Sequence, residues 1–192
     1  METTNNPRRE AILAEAVRVF GRFGYKKTAV QDLADAAGLS KPGLYLHFAS
    51  KDEIFRAAME KYLSDALDDV KNLLTQHEVP LDKRVLGAMD SWFGRHLRTF
   101  TPEAFDVIAA GDRLSFKEVE GIKQLLMQLF AETFQQAGFD PSDAANRAQV
   151  LFLCGLSWKQ PGMTPQAFLS AIKPCVQVCC EGASGANGDE IK

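Results

Sequence analysis

The stretch Thr28 to Phe48, TAVQDLADAAGLSKPGLYLHF, constrains this chain more than any other. It reads as two short helices joined by a tight glycine turn. Thr28, with Gln31 three residues later, has the spacing of a capping box, which would open a helix running to Ala37. Val30, Leu33, Ala34 and Ala37 then share one apolar face. Gly38 supplies the left-handed residue that ends a helix. Ser40 caps a second helix, and Pro42 sits in its first turn, where no intrahelical N–H is needed. Leu44 and Phe48 point inward together, four residues apart. Ser40, Lys41, Gly43, Tyr45, Leu46 and His47 are left to face outward. Two short helices around a glycine turn, with small, basic and aromatic residues outward, make a helix-turn-helix.

The distribution of charge fits that reading better than its sum. The formal net charge is −3. Yet Met1 to Lys51 carries eight Lys plus Arg against five Asp plus Glu, while the remainder carries fourteen against twenty. A basic head on an acidic body is the electrostatic footprint of a chain that meets DNA at one end.

The order of Phe20, Gly24, Tyr25, Thr28, Leu33, Ala34, Ala37, Gly38, Ser40, Leu44, Tyr45, His47, Phe48 and Lys51, within Arg9 to Lys51, closely resembles the DNA-binding domain of the TetR family of bacterial transcriptional regulators. The resemblance covers about the first quarter of the chain. Beyond it only the helix layout is similar. It implies an all-α, nine-helix, two-domain architecture: a three-helix head over residues 8–50, an effector-binding and dimerisation bundle over 51–181, and a disordered tail over 182–192.

The helix pattern follows the chain. Arg8 to Phe23 is amphipathic, with Ile12, Ala16, Val19, Phe20 and Phe23 along one face. Ser50 and Glu53 form a second capping box and open a long helix to about Gln76, which spans roughly 39 Å. Leu81 to Phe100 is apolar around much of its circumference. Thr101-Pro102-Glu103 opens a short helix to about Ala110. Long helices follow over 116–137, 140–159 and 164–181, and Pro174 interrupts the last. Ala144, Ala148, Leu151, Phe152 and Gly155 form one stripe, and Phe168, Ile172, Val176 and Cys179 another. Two spare apolar faces at adjacent helices suggest a self-complementary interface. The resemblance places the dimer there, at Ala148, Leu151, Phe152, Gly155, Phe168, Ile172, Val176 and Cys179. The alternative is that these faces complete the core of one chain.

The DNA contacts are expected at Thr28, Ser40, Lys41, Pro42, Gly43, Tyr45, Leu46, His47 and Lys51. Lysine can donate to guanine O6 and N7, glycine lets the backbone approach a base edge, and leucine can pack on a thymine methyl. By resemblance, Tyr45 and His47 hold phosphates, and Thr28 and Lys51 meet the backbone at helix N-termini. Arg8 and Arg9 read either as a basic arm reaching DNA or as a solvated terminus. One head covers a half-site, so a homodimer would read a palindrome.

The family also implies a small, apolar or aromatic effector. Trp92, Phe93, His96, Phe100, Phe105, Phe130, Phe134 and Trp158 are the candidates for its site. Aromatic side chains at helical spacing are, taken singly, usually core. The implied mechanism has the effector tilt the long helix and reset the separation of two heads, releasing a repressor from its operator. An activator of the same family is the alternative. Cys154, Cys175, Cys179 and Cys180 sit in apolar helical patterns, which suits a reducing cytoplasm. They also leave open a redox- or thiol-responsive regulator. No nucleophile–base pair, metal-ligand spacing or phosphate loop occurs, so neither an enzyme, a metal site nor a cofactor is expected. Met1 to Glu10 is polar and no run is long enough to span a bilayer, so neither a signal peptide nor a membrane span is expected.

Overall fold

The computed structural model describes residues 6–104, 116–160 and 162–183. Eight α-helices occur among the described residues, and no strand. They are α1 (Pro7–Lys27), α2 (Val30–Ala36), α3 (Lys41–Tyr45), α4 (Lys51–Leu74), α5, α6 (Phe116–Gln136), α7 (Pro141–Trp158) and α8 (Pro165–Cys180). Helix α5 runs over Leu81–Met89, passes through a π-helical turn at Asp90–Gly94, and continues over Arg95–Thr99. The architecture is all-α, as expected. Apart from a 3₁₀ turn at Pro102–Ala104, the short helix expected up to Ala110 lies outside the described residues. So do Phe105 and the tail from residue 184 onward.

The chain divides into two compact units, Met1–Asp65 with Thr99–Glu120, and Ala66–Arg98 with Gly121–Lys192. The core of the first is Ile12, Ala16, Val19 and Phe20 of α1 against Leu33, Leu44, Phe48, Ile54 and Phe55. The Phe20 and Phe55 rings meet edge to face at 5.1 Å, and Tyr25 meets Phe55 at 4.8 Å. Phe23 was expected on this face but is exposed, with the Arg22 guanidinium over its ring at 5.1 Å. The helix breaks at the next residue, Gly24 (φ 79°, ψ 167°), so the core-facing stripe ends one step early.

That break also relocates a helix cap. Thr28 does not cap α2. Its hydroxyl donates to the Gly24 carbonyl at 2.6 Å, satisfying an acceptor left over at the kink. Ala29 takes the N-cap position, and the Asp32 carboxylate accepts from its amide at 2.8 Å. Gln31 bonds Asp35 instead, at 2.7 Å. Half of the capping box expected at α4 forms: the Glu53 amide donates to Ser50 Oγ at 3.1 Å, while the Glu53 carboxylate accepts from the Ala49 amide, one residue earlier than the box requires, at 2.7 Å.

Thr99 to Thr101 returns to the first unit across Gly21. The Thr101 amide donates to the Gly21 carbonyl at 2.9 Å, and its hydroxyl to the Arg22 carbonyl at 3.1 Å. A Cβ on Gly21 would overlap the Thr99 carbonyl. Phe100 is thereby buried in this unit, edge to face with Tyr62 at 5.3 Å.

The second unit packs α5, α6, α7, α8 and the end of α4 around Met89, Phe93, Phe130, Phe134, Leu151, Phe168 and Ile172. Arg84 donates to the Leu74 carbonyl at 2.6 Å, placing a cation at the α4 C-terminus, where the helix dipole favours it. Helix α8 continues through Pro174 to Cys180. No helix among the described residues is long and apolar enough to cross a membrane.

Candidate nucleic-acid interface

The turn between α2 and α3 is built by backbone bonds around one glycine. Gly38 adopts φ +63°, and the Leu39 amide then reaches back to the Ala34 carbonyl at 2.9 Å while the Gly38 amide reaches Asp35 at 3.1 Å. This paired closure satisfies two of the carbonyls that α2 leaves open. Ser40 Oγ accepts from the Gly43 amide at 3.1 Å and starts α3. The helix ends at Tyr45, because the Leu46 and His47 amides turn back onto the Gly43 and Leu44 carbonyls.

Leu44 and Phe48 are buried and hold α3 against the first unit. The opposite side faces out. Ser40, Lys41, Pro42, Tyr45 and Leu46 are all exposed, Leu46 at 87%. Gly43 and His47 are half-buried. Lys51 is half-buried, with its ammonium over the Tyr25 ring at 4.4 Å, and the Tyr25 hydroxyl bonds Asp52. Eight of the nine candidate DNA contacts therefore keep some solvent access. Thr28 does not: it is 2% exposed and its hydroxyl is committed to Gly24.

Arg8 and Arg9 are held by the fold on one side. Arg8 donates to the Ala37 carbonyl at 3.2 Å, at the C-terminus of α2. The Arg9 guanidinium lies over the Phe48 ring at 4.6 Å. Both thus brace the turn. Sequence reasoning missed this role because both partners are distant in the chain. Lys26 and Lys27, exposed at the end of α1, add positive charge just before α2 and were also missed. Their signal was their place immediately before the helix-turn-helix.

The expected dimer residues lie elsewhere than at a surface. Ala148, Leu151, Gly155, Phe168, Ile172, Val176 and Cys179 are buried within the second unit, and Phe152 is half-buried. The reason is Phe93: its ring occupies the space a Cβ of Gly155 would need. The space beside Gly155 on α7 is indeed filled, but by the Phe93 side chain of the same chain. Another stripe is left uncovered in its place. Val150, Leu153 and Leu156 on α7, and Val178 on α8, are exposed, Leu153 at 52% and Val178 at 64%.

The described effector candidates are divided between the two units. Phe93, Phe130 and Phe134 fill the core of the second unit, with Trp92 at its edge. Phe100 belongs to the first unit, and Trp158 is exposed. His96 is buried two residues past the π-helical turn. Burial, reinforced by the positive charge of Lys159, pushes its pKa down to about 2.

All four cysteines are free thiols. Burial is the main force raising three of them: Cys154 to about 11, where Cys175 also hydrogen-bonds it, Cys180 to about 12, and Cys179 as well. These are protonated thiols at neutral pH, the reverse of an activated nucleophile. Among the described residues no group of three or more His, Cys, Asp or Glu could hold a metal ion.

A family model described as "Bacterial regulatory proteins, tetR family" matches residues 12–58. The chain is 31% identical over 96 residues to the HTH-type transcriptional repressor ComR of Escherichia coli K12, which covers 48% of this chain and 42% of that protein. It is 37% identical over 67 residues to the HTH-type transcriptional activator FasR of Mycolicibacterium smegmatis, over 35% of this chain and 31% of that one. The chain thus spans less than half the length of these curated relatives. Among solved structures, a transcriptional regulator from Rhodococcus sp. Rha1 is similar with a TM-score of 0.70 at 18% identity, over 91% of this chain and 97% of that one. That likeness is one of fold. With the family model lying across the helix-turn-helix and relatives aligned through it, residues 12–58 are similar to the helix-turn-helix segment of the TetR family of bacterial regulatory proteins.

Proposed function

We propose that this protein is a DNA-binding transcriptional regulator, acting in the cytoplasm as a homodimer that represses from a palindromic operator. The outward face of α3 carries the reading. A capped five-residue helix offers Lys41, Pro42, Tyr45 and Leu46 to solvent while Leu44 and Phe48 fix it from behind. Ser40, Gly43, His47 and Lys51 border that face, so these eight residues form the proposed DNA contact. Thr28 joins them only through backbone, since its hydroxyl bonds Gly24.

Dimerisation is proposed through Val150, Leu153 and Leu156 of α7 and Val178 of α8. This replaces the buried stripe with the exposed one on the same two helices. Two copies of the head would then read two half-sites about one helical turn apart. Repression is the sign we adopt, in line with ComR; the name of FasR carries the opposite sign, and a promoter-reporter assay decides between them. A small effector acts by preferring the conformation that fits DNA poorly, and induction cannot exceed that preference. We place its entry near Trp92 and His96, because the π-helical turn lies there and such turns recur at functional sites.

The test is selection of a random DNA pool with the purified protein, at moderate salt and with non-specific competitor. A palindrome recovered by the parent and lost by the Lys41→Ala/Tyr45→Ala variant supports the reading. The same weak pool from both proteins would sink it.

A further inference from the structure

The exposed side of α3 is more apolar than a DNA-facing helix requires. Pro42, Tyr45 and Leu46 stand at i, i+3 and i+4, so they form one stripe on one side of the helix. All three are exposed. Leu44 and Phe48 form the buried stripe opposite. The short helix is therefore apolar on two sides, and only one of them is covered. Lone exposed leucines are ordinary on protein surfaces. An apolar stripe bordered by Lys41 is less so, and Leu46, at 87%, is the most exposed of the large hydrophobic side chains among the described residues.

The chemistry of leucine narrows what it can read. It neither donates nor accepts a hydrogen bond, so it is blind to every group on a base edge but one. The C5-methyl of thymine is the apolar group that the major groove displays. We infer that Leu46, at the end of the Pro42–Tyr45–Leu46 stripe, determines operator specificity by packing on a thymine C5-methyl in each half-site. The inference rests on the proposed operator binding and deepens it. Lys41, four residues before Tyr45, supplies the polar contact beside it. The two contacts differ in their response to salt. A lysine contact to DNA weakens as salt rises, through counterion uptake, whereas a methyl contact does not.

The experiment uses the full chain and the operator recovered by selection. Each symmetric pair of thymines is replaced in turn by deoxyuridine, which deletes the methyl and nothing else. Affinity is read by fluorescence anisotropy at two salt concentrations. One pair is expected to lower affinity by about tenfold, which is three- to fourfold for each methyl removed from an apolar contact. The factor should be the same at both salts. Leu46→Ala should bind the thymine and deoxyuridine operators alike at that pair, while Leu46→Met and Lys41→Ala keep the difference. Far-ultraviolet circular dichroism checks that each variant keeps its helices. Failure to recover any operator removes the proposed function and this inference together. An operator bound tightly but indifferent to every deoxyuridine pair overturns the inference alone, as does a Leu46→Ala variant that keeps the parent's sensitivity. Loss of self-association in Leu46→Ala, with operator discrimination unchanged, would assign the stripe to a protein contact and overturn it too.

Discussion

The ring of Phe93 lies so close to Gly155 that a Cβ at that position would overlap three of its carbons. This contact between α5 and α7 sets which side of α7 belongs to the core. Gly155→Ala is accordingly expected to destabilise the protein. Overpacking costs about 1–3 kcal/mol. The better helix propensity of alanine offsets at most about 1 kcal/mol of that. A urea midpoint below the parent's is the expected reading, with part of the loss recovered when Phe93→Leu is added, because neighbouring substitutions couple. A Gly155→Ala protein as stable as the parent would mean that Phe93 can move aside freely.

Arg147 ties the end of α8 to α7. Its Nε donates to Asp143 at 2.9 Å, and its Nη1 to the Cys179 carbonyl at 2.8 Å and the Glu181 carbonyl at 3.2 Å. The guanidinium also stacks on the Phe139 ring at 3.9 Å. A lysine can supply the charge but neither the fork nor the flat face. Both Arg147→Lys and Arg147→Met should therefore lose stability, by about 1.5–3 kcal/mol, the range for hydrogen bonds to a charged group. Thermal unfolding measures this. Full stability in Arg147→Lys would show that charge alone holds the α8 terminus.

Stability should fall in mild acid through His96. Its folded pKa, about 2, lies below the ordinary histidine value of 6.5, so the unfolded chain takes up the proton first. The neutral imidazole is the folded form. Stability is therefore complete above about pH 6.5 and is lost as pH falls from there toward 2. The slope approaches about 1.4 kcal/mol per pH unit for one such group. Denaturant titrations at pH 7, 6 and 5 should show a shallower decline in His96→Gln than in the parent. Parallel slopes for the two proteins would remove His96 from the acid response.

The exposed and buried stripes of α7 should respond differently to charge. Leu153→Glu, on the exposed stripe, is expected to leave the helices intact and shift sedimentation from dimer to monomer, with weakened operator binding. Ala148→Glu, on the buried stripe, is expected to unfold the second unit, since an unpaired buried carboxylate is among the costliest substitutions. A Leu153→Glu protein that stays dimeric would move the interface elsewhere.

Local sequence rules determined the short elements of the head. Ser40 caps α3, Gly38 closes α2, and Leu44 and Phe48 face in, all within a few residues of one another. A cap, a left-handed glycine and an i, i+4 pair are decided by neighbours in the chain, so they are legible there. Tertiary structure decided where two local rules competed or where a partner was distant. Thr28 could have capped α2, yet the carbonyl freed at the Gly24 kink took its hydroxyl, and Ala29 with Asp32 did the capping. Arg8 and Arg9 look like a loose basic arm until Ala37 and Phe48 come within reach of them. Most of all, helical periodicity tells which residues of α7 share a side, but not which neighbour covers it. Two apolar stripes run along that helix, and Phe93 of α5 took the one with Gly155. The sequence by itself therefore determined the helix-turn-helix, the run of helices and the outward face of α3. The side of α7 left uncovered was decided only when the chain packed on itself.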